Sequence, residues 1–136
     1  MTFRPDSKLE AFLGEVMPAF LGTVRRDGSA QVVPVWYEYA EGAIWLNPTA
    51  SRGWLAHLRR DPRLSLLFVD PRDMFRRAQV RGRVTDIDQA AGAAHIDQLA
   101  RRYLGTDYPW HEPGDPRVRV RVAIEGVTAS LAGDEE

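Results

Sequence analysis

The chain has 136 residues, of which 44% are hydrophobic and 27% charged, with a formal net charge of −1 and no cysteine. That length suits a single domain with its own core, residues 1–136. The missing cysteine excludes disulfides, thiolate catalysis and cysteine-ligated metals, and the near-neutral charge argues against nucleic acid as a partner.

The opening segment MTFRPDSKLE lacks the apolar core of a signal peptide. No apolar run reaches the ~20 residues that span a bilayer. A cytoplasmic chain with no membrane partner is expected. Among the 18 basic residues only Lys8 is lysine. The many alanines, glycines and prolines point to a GC-rich coding sequence as the first explanation of that bias.

Residues 7–17 have helical periodicity through Leu9, Phe12, Leu13 and Val16. Ser7 and Glu10 have capping-box spacing, and Pro18 ends the pattern. Two hairpin signals follow, Asp27-Gly28 and Glu41-Gly42. They imply strands at 20–25, 30–39 and 43–47. Pro34 lies inside the middle run and lacks an N–H. It marks an edge, a bulge, or an opening that exposes backbone to a ligand.

A second helix is expected at 51–60, stopped by Asp61-Pro62. Residues 64–69 form a strand that should be largely buried on both faces, and 70–76 a loop. Residues 78–87 form a strand with a bulge at Gly82. An amphipathic helix at 88–103 would present Ala93, Ile96, Leu99, Ala100 and Tyr103 to the core, weakened by Gly92. A long aromatic loop spans 104–116. In VRVRVAI, Val118, Val120, Val122 and Ile124 face one way and Arg117, Arg119 and Arg121 the other. The polar tail, about 131–136, is expected to fray. The order describes a mainly β chain with flanking helices, an antiparallel barrel.

Conventional catalytic groups are not visible. His57, His95 and His111 have no metal-ligand spacing, no serine sits in a nucleophile elbow, and the carboxylates are scattered. The Arg117, Arg119 and Arg121 stripe reads either as an anion site or as a solvated face. Most informative is WLNPTASRGW, residues 45–54, where a strand runs into a helix. Ser51 can cap that helix. Arg52 opposes the helix dipole unless an anion sits there, and Thr49 adds a donor.

Taken in order, DGS, QVVPVWYEY, HLRRDPR, VRGRV and RRYLGTDYP resemble the flavin/deazaflavin split β-barrel proteins, the pyridoxamine 5'-phosphate oxidase-like family, and most closely its F420-dependent branch. The resemblance runs over about residues 8–127. It implies a six-stranded antiparallel split β-barrel and a homodimer with the cofactor in a groove at the subunit interface. The ring would lie along Gln31, Val32, Val33, Pro34 and Val35, and the phosphate on Asn47, Thr49, Ser51, Arg52 and Trp54, with Gln79 completing the cofactor set. Trp54 stands where the family often has lysine, leaving Arg52 as the main charge. Its other reading is packing of the helix onto the barrel. Trp36, Tyr108 and Trp110 would wall a flat substrate, and Arg25, Arg26, Arg76 and Arg77 are candidates for an acidic cofactor tail. The implied activity is hydride transfer between coenzyme F420 and a small unsaturated organic substrate, with no protein catalytic residue and no metal. The alternatives are an FMN-dependent oxidase or reductase and a carrier of flavin-like ligands without turnover.

Overall fold

The computed structural model describes residues 3–131. After helix α1 (Ser7–Leu13), strand β1 (Ala19–Val24) turns at Asp27-Gly28 into β2 (Ala30–Val35). Gly28 takes φ 89°, and the Asp27 carboxylate accepts from the Ser29 N–H at 2.9 Å. The chain then breaks at Trp36 and Tyr37 before β3 (Glu38–Ala40), which turns into β4 (Ala43–Leu46). Helix α2 (Gly53–Arg60), the long hairpin β5 (Arg63–Asp70) and β6 (Asp73–Asp88), helix α3 (Gly92–Leu104) and β7 (Arg119–Ser130) complete the order.

The strands form one antiparallel sheet in the order β2-β1-β5-β6-β7-β4-β3. Its two edges, β2 and β3, are consecutive in the chain, so the sheet curls until Trp36 and Tyr37 join one edge to the other. The barrel is mainly β and split, as expected, but has seven strands among the described residues rather than six because the expected 30–39 strand is two. Tyr37 explains the break. Its N–H meets the Tyr103 hydroxyl at 3.3 Å, and its own hydroxyl donates to the Leu13 carbonyl at 2.8 Å. The ring is fully buried edge-on to Phe68. Arg102 of α3 donates to the Tyr37 carbonyl at 3.1 Å. Pro34 therefore lies on an edge strand, opposite Phe20, where a missing N–H costs least.

Inward residues of β1, β4, β5, β6 and β7 build the core with Leu55 and Leu58 of α2. Truncating any of the large ones to alanine costs roughly 2–5 kcal/mol. Val118, Val120, Val122 and Ile124 all point into it. Gly82 sits at a register shift; a Cβ there would meet Val122 at 2.6 Å.

Several boundaries differ from expectation. Asp6, not Ser7, caps α1, accepting from the Leu9 N–H, and the helix closes at Gly14 well before Pro18. Arg52, not Ser51, is the N-cap residue of α2. Strand β5 buries one face; on the other Ser65 is exposed and Leu67 and Val69 are half-buried. Residues 73–76 of the expected loop already belong to β6. Helix α3 begins at Gly92 and turns His95 rather than Ala93 to the core. The tail expected to fray lies, beyond Leu131, outside the described residues.

Candidate ligand cleft

Sheet curling leaves a cleft of about 510 Å³ against the free edge of β2. Its other walls are the 47–54 turn, Ile96 of α3 and the strap that returns to β7 through Tyr108, Trp110 and Arg117. Because β2 pairs only with β1 among the described residues, part of its backbone is left to meet a ligand. Among the described residues no carboxylate lines the cleft, whereas two guanidiniums do, those of Arg52 and Arg117. Arg52 is exposed and forms no cap bond at the α2 terminus. Arg117 donates to the Asn47 carbonyl at 2.9 Å and to the Tyr108 hydroxyl at 2.6 Å. Its Cζ lies 4.6 Å from the Tyr108 ring centroid.

Aromatic rings form one wall. Trp36 stacks on Tyr103 with centroids 5.1 Å apart. Tyr108 meets Trp36 edge-on at 6.3 Å, and Trp110 meets Tyr108 at 5.5 Å. The strap carrying them is tied down by Asp97, which accepts from the Tyr108 N–H at 2.9 Å and lies 3.0 Å from His111. The His111 contact holds the Asp97 carboxyl below its usual range.

Beneath the cleft runs a buried polar chain. Asn47 Nδ2 lies 2.9 Å from the Gly92 carbonyl and 3.0 Å from His95 Nδ1, and His95 Nε2 lies 2.9 Å from Glu38. An amide nitrogen can only donate, so His95 Nδ1 accepts and its Nε2–H points at Glu38. The His95 hydrogen bond keeps the Glu38 carboxyl below its ordinary value. Both Asn47 amide hydrogens are thereby used. The side-chain oxygens Asn47 Oδ1 and Gln31 Oε1 are buried without a partner among the described residues.

The sequence profile of the family described as pyridoxamine 5'-phosphate oxidase matches residues 5–130. The chain belongs to that family. Among solved structures it is similar to an F420 reductase, at 28% identity and TM-score 0.79, covering 91% of this chain and 98% of that one. A conserved hypothetical protein from Mycobacterium tuberculosis follows at 24% identity and TM-score 0.73, with coverage of 93% and 84%. HupZ from Group A Streptococcus has 13% identity and TM-score 0.67, with coverage of 95% and 99%. The latter two share the fold. No curated protein sequence matches the chain.

This pyridoxamine 5'-phosphate oxidase-family barrel, a fold that binds flavins or related cofactors, gathers most of the residues singled out from the sequence. Gln31, Val33, Pro34, Val35, Trp36, Asn47, Arg52, Trp54, Tyr108 and Trp110 all line the cleft. Trp54 does so while belonging to the core, so packing accounts for much of its role. Four residues lie elsewhere. Val32 points outward at 67% exposure. Gln79 is exposed on β6, in register with Leu67 and Thr128. Thr49 bridges to Arg117, and Ser51 is bound to Asp115, through its N–H at 3.0 Å and its hydroxyl at 2.5 Å.

Arg117, Pro18 and Ile96 line the cleft without having been assigned to it. Arg117 was visible only as one member of a stripe. In the structure the stripe divides: Arg119 pairs with Asp88 at 3.4 Å, Arg121 reaches Thr85 at 3.0 Å, and both cover Trp45. Arg76 binds Glu15 and Asp70, and Arg25 its own hairpin. The donor set suits a flat anionic cofactor. Its phosphate would meet Arg52 and the uncapped start of α2, and its ring the β2 edge.

Proposed function

We propose that this protein is an oxidoreductase that binds coenzyme F420 in the cleft and exchanges a hydride with a small unsaturated organic substrate. One observation carries the reading: a strand edge and an aromatic wall meet two guanidiniums with no carboxylate between them among the described residues. The 28% identity to an F420 reductase supports it.

When bound, the deazaflavin ring supplies the hydride; the protein supplies position and field. Backbone groups of β2 orient the ring. Arg52 and the first amides of α2 hold the phosphate. Arg117, already fixed on Tyr108, offers its charge to the ring or tail. Trp36, Tyr108 and Trp110 would wall a flat acceptor against the ring and shield it from water.

The protein would act as a homodimer. Phe20, Val24 and Val32 are exposed on the outer face of β1 and β2, where Phe20 is in register with Leu67. Burying such a face gains ~25 cal/mol per Å². Gln79 shares that face beside Leu67, so its cofactor contact would be made across the interface.

FMN is the second reading. It is favoured by Arg76, whose guanidinium is committed to Glu15 and Asp70 rather than to the acidic tail that F420 carries and FMN lacks.

Titration of F420 and FMN into the wild type and Arg52→Ala tests the proposal, followed by fluorescence quenching. F420 should bind the wild type, and the variant should lose roughly 1.5–3 kcal/mol, the size of a charge-assisted hydrogen bond. Absence of binding, or an unaffected variant, refutes it. Turnover of reduced F420 with enones, quinones and nitro compounds separates an enzyme from a carrier.

A further inference from the structure

The turn expected to hold phosphate is already engaged by an anion of the chain itself. The Asp115 carboxylate accepts from the Ser51 N–H at 3.0 Å and from the Ser51 hydroxyl at 2.5 Å. Backbone pairing sets this arrangement: Ala50 N–H donates to the Pro116 carbonyl at 2.8 Å, Val118 N–H to the Pro48 carbonyl at 2.9 Å, and Thr49 bridges to Arg117. The next residue, Arg52, lines the cleft.

We propose that Asp115 sets the ligand selectivity of the cleft, because its carboxylate takes the N–H and hydroxyl of Ser51 and a phosphate gains them only by displacing it. The inference rests on the cofactor reading of the cleft. A carboxylate and a phosphate use the same donors, and both are negative. A phosphate on Arg52 therefore meets a fixed like charge one residue away, whereas the ring, which contacts β2 and the aromatic wall, does not. Asp115 thus lowers the share of affinity that comes from the phosphate and raises the share that comes from the ring. Its removal should act on the phosphate alone.

The test compares ligands with and without phosphate on one ring: FMN against riboflavin, and F420 against its deazaflavin–ribityl fragment. Dissociation constants are measured by fluorescence for the wild type, Asp115→Asn, Ser51→Ala and the double variant. Asp115→Asn keeps the shape and loses the charge. It should tighten the phosphate-bearing member by about tenfold, the size of one charge-assisted hydrogen bond, and leave its partner within about twofold. Adding Ser51→Ala should cancel the gain. An equal change in both members of a pair, or weaker binding of the phosphate-bearing one, overturns the inference while the cofactor reading stands. No binding of any ring to any variant overturns both.

Discussion

Gly92 and Arg117 touch backbone to backbone: a Cβ built on Gly92 would lie 1.9 Å from the Arg117 carbonyl oxygen. The start of α3 and the residue that brings a guanidinium to the cleft are therefore seated on one another. The Gly92 carbonyl also accepts from Asn47. Gly92→Ala has to push the strap away. Overpacking of this kind costs about 1–3 kcal/mol, and the displacement carries Arg117 with it. The expected result is a lower Tm together with weaker cofactor binding. An unchanged melting curve would show that the close approach is not required.

His95 tests the buried chain. His95→Ala strips Glu38 of its main partner and frees the Asn47 amide to rotate. Loss of packing and of two buried hydrogen bonds should destabilise the protein by about 2–4 kcal/mol, read by urea unfolding. Glu38 is held below its ordinary value first by the His95 hydrogen bond, so its carboxyl should titrate higher in the variant. A Glu38 titration that stays put in carboxyl-carbon NMR would assign the shift elsewhere.

Local chemistry made much of the barrel legible. Asp27-Gly28 and Glu41-Gly42 mark real turns, with Glu41 at φ 55° and Gly42 at φ 73°. The valines of 118–122 alternate because β7 has a core side and an outer side. Distant partners decided what was missed. Tyr37 breaks its strand through Tyr103, 66 positions away, and the Leu13 carbonyl, 24 away. Ser51 reads as a helix cap from its neighbours, yet Asp115, 64 positions on, claims it. Arg117 enters the cleft because its segment pairs with Pro48 and Thr49 before β7 begins. Periodicity within one strand carries no trace of such pairing.

Arg117 should matter for binding more than for folding. Its guanidinium lines the cleft, stacks on Tyr108 and lacks a carboxylate within 4.0 Å among the described residues. Arg117→Ala should weaken an anionic cofactor by roughly 10- to 100-fold, one charge-assisted contact. Arg117→Lys should recover only part, since an ammonium cannot reproduce the planar fork. The KM-against-kcat split in turnover assays and direct titration both read this. Equal affinity in all three proteins would place the ligand away from the strap.

Acid should find a weak point at Asp70. This buried carboxylate sits at the register shift of the β5–β6 hairpin. It accepts from Arg72 Nε at 3.1 Å, the Arg72 N–H at 2.9 Å and Arg76 Nη1 at 3.0 Å. Arg76 in turn binds Glu15 at 2.6 Å and covers Phe12, tying the hairpin to α1. The Arg72 hydrogen bonds lead in drawing Asp70 from 3.8 down to about 2. The folded value lies below the unfolded one, so the unfolded chain binds the proton first. The contribution is complete above about pH 4 and fades as pH falls from 3.8 toward 2. Asp70→Asn should therefore melt below the wild type at pH 7, and the two curves should converge between pH 4 and 2. Glu15, lowered chiefly by its Arg76 hydrogen bond, should lose its contribution in the same direction. Melting temperatures across that range decide the matter: a gap that holds constant into strong acid would mean that Asp70 acts by shape and not by charge.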